Sequence, residues 1–231
     1  MNIVITGASR GIGAAIAERF AAEGNTLILC ARNEEKLKLF ADELQQRTGT
    51  TVLTYAADLS NKEAAIAFGN WIKQHCPVDV LVNNAGSFVP GSIHDEADGN
   101  LEKMIEVNLY SAYHLTRVLV PEMIERRSGH IFNMCSIASL KAYANGGSYS
   151  ISKFALAGFS KNLREELMPH NIKVTTVYPG AVYTDSWSGS GIAEERIMES
   201  KDIADMMFAA AHLSPQACVE EIVVRPQLGD L

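Results

Sequence analysis

The sequence predicts an α/β fold, a single domain in which a seven-stranded parallel sheet carries helices on both faces. Three observations point there. Short runs rich in Val, Ile and Leu recur along the chain, helical patterns alternate with them, and the runs are apolar throughout rather than at every second residue. A strand with one wet face alternates, whereas a strand apolar on both faces must be covered on both, as in a parallel sheet flanked by helices. With 231 residues, 47% of them hydrophobic, the chain can bury such a core in one unit, residues 1–231.

Taken in order, the strands are Ile3-Val4-Ile5, Leu27-Ile28-Leu29, Val52-Leu53, Val80-Leu81-Val82, His130-Ile131-Phe132, Val174-Thr175-Thr176-Val177 and Ile222-Val223-Val224. Helical periodicity fills the intervals at roughly 11–23, 34–47, 61–75, 101–127, 149–168 and 201–213, with Asp202 or a nearby residue a start signal for the last. The stretch 180–200, containing Ser186-Trp187-Ser188-Gly189-Ser190-Gly191, follows a strand's carboxyl end and is read as a mobile substrate lid over about 185–200.

Charge narrows the function. A net charge of −7 without a Lys/Arg block argues against tracking nucleic-acid phosphates, so the expected partner is a small molecule. Met1 leads directly into a strand pattern and no apolar run approaches the ~20 residues of a membrane span; a cytoplasmic protein that does not enter the membrane is expected. Cys30, Cys76, Cys135 and Cys218 form no Cys-x-x-Cys pair and the six histidines lack ligand spacing, so no metal is assigned.

The segment Thr6-Gly7-Ala8-Ser9-Arg10-Gly11-Ile12-Gly13 follows the first strand and opens a helix. Glycines let a backbone bend sharply and approach a pyrophosphate, while the free amides and dipole of the helix start face the anion. This is a dinucleotide site at the first βα unit, with Gly7, Ser9, Arg10, Gly11, Ile12 and Gly13 around the phosphates. The residue ending the second strand meets the adenine ribose, where an acid binds its hydroxyls and an arginine accommodates a 2′-phosphate. Here Ala31 occupies that position, Arg32 follows, and Arg10 reaches from the glycine loop, which favours NADP (NADPH) over NAD.

Tyr149 and Lys153 stand four residues apart, so a helix puts phenol and ammonium on one face. A neighbouring ammonium favours the phenolate, so Lys153 is expected to depress the tyrosine's pKa and fit it for proton transfer. Ser136 ends the fifth strand, at the carboxyl edge that borders the ligand crevice, with Ser139 as a rival hydroxyl.

The Gly-x-x-x-Gly-x-Gly spacing, Asn83-Asn84-Ala85-Gly86, Asn108, Ser136 and Tyr149-x-x-x-Lys153 together resemble the short-chain dehydrogenase/reductase family over nearly the whole chain. The resemblance implies a Rossmann fold with Asn108, Ser136, Tyr149 and Lys153 catalytic. Tyr149 is the general acid in carbonyl reduction, Lys153 also binds the nicotinamide ribose, and Asn108 breaks its helix to hold a water that links Lys153 to solvent. It further implies that Asp58 and Leu59 meet the adenine, Asp58 having an alternative as a helix cap, and that Asn83 steadies the sheet centre and lines the cofactor channel. Ala85 and Gly86 leave room for ribose. Pro179, Gly180, Val182 and Thr184 form the family's Pro-Gly segment, with Val182 and Thr184 on the carboxamide. Family members associate as homodimers or homotetramers, here through residues such as Ala112, Ala155, Ala157 and Phe159, unless these face the sheet.

The tail Val219-Glu220-Glu221-Ile222-Val223-Val224-Arg225-Pro226, ending Leu228-Gly229-Asp230-Leu231, together with Val182-Tyr183-Thr184-Asp185-Ser186-Trp187, resembles bacterial sepiapterin-reductase-type members, in which a carboxylate near the chain end holds the pterin. Asp230 is the corresponding candidate anchor, Asp185 its rival, and Trp187 the candidate ring contact. The function expected is therefore an NADPH-dependent carbonyl reductase, with pterin side chains among its substrates. A 3-oxoacyl-thioester reductase is the alternative enzyme, and a non-catalytic NADP-sensing regulator the alternative of another class; neither Tyr149 nor Lys153 is lost, as a sensor would allow.

Overall fold

The computed structural model describes residues 1–22, 24–184 and 191–230. Seven parallel strands are present: β1 (Asn2–Thr6), β2 (Thr26–Ala31), β3 (Val52–Ala56), β4 (Val80–Asn83), β5 (Gly129–Met134), β6 (Ile172–Pro179) and β7 (Glu221–Val224). Their order is β3-β2-β1-β4-β5-β6-β7, so the winding reverses between β1 and β4 and a crevice opens at the carboxyl ends there. The apolar alternation explains why no wet face was visible. In β1, Ile3 and Ile5 join one core with Ile16, Phe20 and Met207, while Val4 joins the opposite core with Phe68, Ile72 and Leu115.

The first core lies under α1 (Gly11–Ala21), α2 (Glu34–Thr48) and α7 (Ser200–Ala211); the second lies under α3 (Lys62–His75), α5 (Ser111–Arg126) and α6 (Gly147–Leu167). The expected single helix over 101–127 is two, α4 (Asn100–Ile105) and α5, joined by a π-helical turn at Glu106–Tyr110 whose buried residue is Asn108. The α7 start falls beside Asp202, at the nearby Glu199. Glu199 is the cap, and Asp202 is the third residue of the helix, its carboxylate accepting the Glu199 N–H at 3.1 Å.

Hydrophilic side chains run through the sheet centre in one hydrogen-bonded line. Asn83 Nδ2 donates to Thr116 Oγ1 at 3.0 Å and to Asn133 Oδ1 at 2.8 Å, Asn133 Nδ2 donates to Ser160 Oγ at 2.9 Å, and Thr176 donates to the same Ser160 oxygen at 2.7 Å. This line ties β4, β5 and β6 to α5 and α6. Ala112 and Ala157, expected as candidates for pairing with a second copy, instead pack with Leu156 against Cys135 and Tyr178 in the chain's own core. Among the described residues no helix is long and apolar enough to cross a membrane. Of the expected lid, residues 185–190 lie outside the described residues, and with them Asp185 and Trp187; Glu194–Arg196 form a short 3-10 turn before α7.

His130, at the start of β5, stacks on Phe132 with ring centres 4.0 Å apart, and its Nε2 meets Thr175 Oγ1 at 2.7 Å. Burial lowers its pKa from 6.5 to about 3. The unfolded chain therefore binds this proton first. The stability that His130 contributes is complete above its ordinary pKa and is lost as the pH falls toward about 3, at up to about 1.4 kcal/mol per pH unit. Urea midpoints measured across that acid range should fall less steeply for His130→Gln than for the unmodified chain.

Candidate active site

The glycine loop is folded against the end of β4. Gly7 and Gly11 have φ of 64° and 57°, a region L side chains rarely adopt, and a Cβ on Gly13 would lie 2.2 Å from the Gly7 carbonyl oxygen. Thr6 Oγ1 accepts the N–H groups of Asn84 and Ala85, both at 2.9 Å, and donates to Val82 O at 3.3 Å. Asn84 Nδ2 donates back to the carbonyls of Thr6 and Gly7, at 2.9 and 3.2 Å. Asn84, within the Asn83-Asn84-Ala85-Gly86 motif, joins the two loops through its side-chain amide. The α1 start has no side-chain cap and no acidic residue in its first turn, so its first amides lack the acceptors helices usually supply for themselves.

A cleft of about 400 Å³ opens over this junction. Gly7, Ser9, Arg10, Gly11, Ile12 and Gly13 form one wall, Ala85 and Gly86 another, and Thr184 reaches over Gly11. Arg32, Asp58 and Leu59 line it beyond β2 and β3. Lys36 lines it as well and was not anticipated. It sits on the first turn of α2, where its N–H donates to the capping Asn33 Oδ1 at 2.8 Å, and counting three residues on from that cap would have found it. Asp58 is not a helix cap. Asn61 caps α3 by accepting the Ala64 N–H at 2.9 Å, while Asp58 Oδ1 accepts the Ser60 N–H and hydroxyl at 3.1 and 2.8 Å. Asn83 is not among the residues lining the cleft; its Nδ2 is bonded within the sheet.

Tyr149 and Lys153 share a face of α6 beside the cleft's Gly86. Lys153 is 5% exposed, and its Nζ donates to the Met134 carbonyl at 2.8 Å and sits 5.8 Å from the centre of the Tyr149 ring. A Cβ on Gly86 would come within 3.5 Å of that Nζ and 2.9 Å of Asn108 Oδ1, so only glycine allows this approach. Asn108 Oδ1 accepts the Ser87 N–H at 2.8 Å, and its Nδ2 donates to Ser87 O at 3.1 Å and Ser152 Oγ at 2.9 Å.

Burial pushes the Tyr149 phenol's pKa up to about 12, against the smaller lowering influence of the neighbouring Ser136 hydroxyl, whose oxygen accepts the Ala138 N–H at 3.1 Å. The expectation that Lys153 depresses it is not met. The ammonium is turned to the Met134 carbonyl, and burial lowers its own pKa. Ser139, the rival hydroxyl, is 3% exposed and closes the turn by accepting the Ser136 N–H at 3.3 Å.

Pro179 ends β6 and Gly180 packs beneath Pro226, to whose Cδ a Cβ there would come within 2.9 Å. Val182 pairs with Met198, fixing the base of the stretch that precedes α7. The tail does fold over this end of β6. Asp230, however, is paired with the Arg225 guanidinium, and its backbone carbonyl accepts from Arg196 at 3.1 Å. Its carboxylate is therefore engaged within the tail.

Comparison with known proteins agrees with this arrangement. The family model described as short chain dehydrogenase matches residues 1–194. An uncharacterized oxidoreductase of Staphylococcus epidermidis is 30% identical over 224 residues, 96% of both chains. The structure of L-sorbose reductase from Gluconobacter frateurii complexed with NADPH and L-sorbose superposes with a TM-score of 0.89 at 30% identity, covering 97% of this chain and 94% of that one. A metagenomic short-chain oxidoreductase in complex with NADP gives 0.85 at 36% identity, over 98% and 97%. The chain belongs to the short-chain dehydrogenase family and is an oxidoreductase of that type.

Proposed function

We propose that the protein is an NADP(H)-dependent carbonyl reductase and alcohol dehydrogenase with Tyr149 as its proton donor and acceptor. The observation that carries this reading is Tyr149 and Lys153 on one face of α6, the ammonium nitrogen 5.8 Å from the phenol ring, beside a glycine-walled cleft. Ser136 and Tyr149 hold the carbonyl oxygen of the substrate between two hydroxyls. Tyr149 gives that oxygen a proton in reduction and takes one back in oxidation. Lys153, anchored by Met134, keeps a cation beside the phenol, and Asn108 braces α6 through Ser152.

The residues lining the cleft fit NADP. The close approach of Gly7, Gly11 and Gly13 leaves backbone amides open to a pyrophosphate, and Arg10, Arg32 and Lys36 surround the region where Ala31 stands in place of an acid. Asp58 and Leu59 would meet the adenine, Ala85 and Gly86 the ribose, Lys153 the nicotinamide ribose, and Val182 and Thr184 the carboxamide. When bound, the reduced nicotinamide supplies the hydride. The two NADP-bound neighbours support this cofactor. A pterin carbonyl is a narrower reading that requires Asp230 to exchange Arg225 for the substrate. Exposed Tyr110, Ile151 and Phe154 give the α5 and α6 side of the molecule an apolar surface for a homodimer or homotetramer.

Three outcomes follow from these assignments. Tyr149→Phe removes the acidic hydroxyl and leaves the ring, so NADPH oxidation with any carbonyl should collapse while NADPH binding, titrated by fluorescence, stays near wild type; retained turnover would move the acid elsewhere. Arg32→Asp deletes a phosphate partner and adds a like charge. Losing a charged hydrogen bond costs about 1.5–3 kcal/mol, so NADPH affinity should fall about ten- to a hundredfold and NADH affinity little. Because the Ser136 hydroxyl holds the phenol's pKa down, Ser136→Ala should move the alkaline limb of the reductive pH profile upward, besides lowering turnover; an unmoved or lowered limb contradicts the assignment.

A further inference from the structure

The helix that carries Tyr149 does not cap itself. Gly146 precedes it with no side-chain cap, and the backbone entering it is permissive, with Asn145 and Gly147 at φ of 62° and 32°. First-turn amides of a helix need acceptors, and a carboxylate there also meets the positive end of the dipole. The acceptor comes from the segment between β4 and α4, 52 residues away: Glu96 Oε1 accepts the Ser148 hydroxyl at 2.5 Å and Oε2 accepts the Ser148 N–H at 3.3 Å. Ser148 is 1% exposed, and the next residue is Tyr149.

The two segments are fastened at further points. The Gly91 N–H donates to Asn145 O at 3.1 Å, the Ser92 hydroxyl donates to Asn145 Oδ1 at 2.7 Å, and the Glu96 N–H donates to Ser92 O at 2.8 Å. A Cβ on Gly147 would lie 2.4 Å from the Gly91 carbonyl oxygen, so the backbones meet closely. From the same segment Phe88 packs edge-on against the Tyr149 ring, centroids 4.9 Å apart.

We propose that Glu96 is a positioning residue for the reaction, its carboxylate fixing the first turn of α6 so that the Tyr149 hydroxyl stays in register with Ser136. This rests on the reading of Tyr149 as proton donor. A displacement of an ångström at a reacting group is enough to cost about a hundredfold in rate, and Gly146 at the helix start supplies no side-chain cap of its own.

The test uses the full chain with Glu96→Ala, Glu96→Gln and Ser148→Ala. Glu96→Ala should lower kcat about ten- to a hundredfold with KM for NADPH little changed. It should also move the alkaline limb of the pH profile upward as the phenol moves off the Ser136 hydroxyl; the other titratable groups around the phenol, Tyr143, Cys135 and Lys153, are untouched. Glu96→Gln keeps an acceptor for the Ser148 hydroxyl and should recover most of the turnover. Ser148→Ala loses the shorter bond and should shift the profile in the same direction.

Amide hydrogen exchange at residues 148–150 should quicken in Glu96→Ala. Wild-type kcat and pH profile in Glu96→Ala, assayed below its unfolding temperature, would overturn the proposal. If that variant does not fold, an unmoved profile in Ser148→Ala overturns it instead. If the unmodified protein reduces no carbonyl, the functional reading fails separately, and unchanged exchange at 148–150 is then the result that overturns the role of Glu96.

Discussion

The hydroxyl of Thr6 is the contact on which the site depends. It accepts two backbone N–H groups from the end of β4 and donates to a third backbone group there, closing the crevice floor at the point where the sheet's winding reverses. Each such bond contributes only about 0.5–1.5 kcal/mol net, but the geometry they enforce cannot relax. Gly13 lies so near the Gly7 carbonyl, and Gly7 so near Ala85, that a single methyl group at either position would force the loops apart. The cleft of about 400 Å³ over this junction keeps its shape because side chains are absent there. Asn84, whose side chain binds both loop carbonyls, holds that arrangement from the other side.

Beside this rigid floor, the proton-handling end is set by a contest between solvent exclusion and one neighbouring hydroxyl. Loss of water drives Tyr149 toward its neutral form and Lys153 toward its own, while the Ser136 hydroxyl stabilises the phenolate. Exclusion of water wins, and the phenol's pKa rises above its ordinary value. The line of buried amides and hydroxyls from Thr116 to Thr176 lies deeper in the sheet and spaces β4, β5 and β6, so that Gly86, Met134 and Ser136 arrive at the same edge.

Most of the architecture was legible because the central strands, buried on both faces, must be continuous apolar runs; the edge strands β3 and β7 are partly exposed but still stand where their short apolar runs lie. The Tyr149-x-x-x-Lys153 spacing and the glycine loop were legible for a similar reason, since both are local. What escaped depends on distant parts of the chain. The direction of the Lys153 amine follows from the Met134 carbonyl, 19 residues away. Asp58 yields the α3 cap to Asn61 because its carboxylate is taken up by the Ser60 N–H and hydroxyl in the turn before the helix. Ala112 and Ala157 look like contact surface until the helix rotation is known, and Asp230 looks free until Arg225 folds onto it. Glu96 carried no local signal at all, since its partner is 52 residues on.

The central claim is that this cleft brings a reduced nicotinamide and a carbonyl together so that hydride passes directly between them. The most direct measurement is the fate of deuterium from NADPH labelled at the transferring face of C4, followed by mass spectrometry of the alcohol formed from a reducible carbonyl. The account predicts one deuterium on the former carbonyl carbon for each NADPH consumed, from one C4 face only. Label retained in the oxidised cofactor whichever face carries it, or label released to water while the cofactor is consumed, would contradict it.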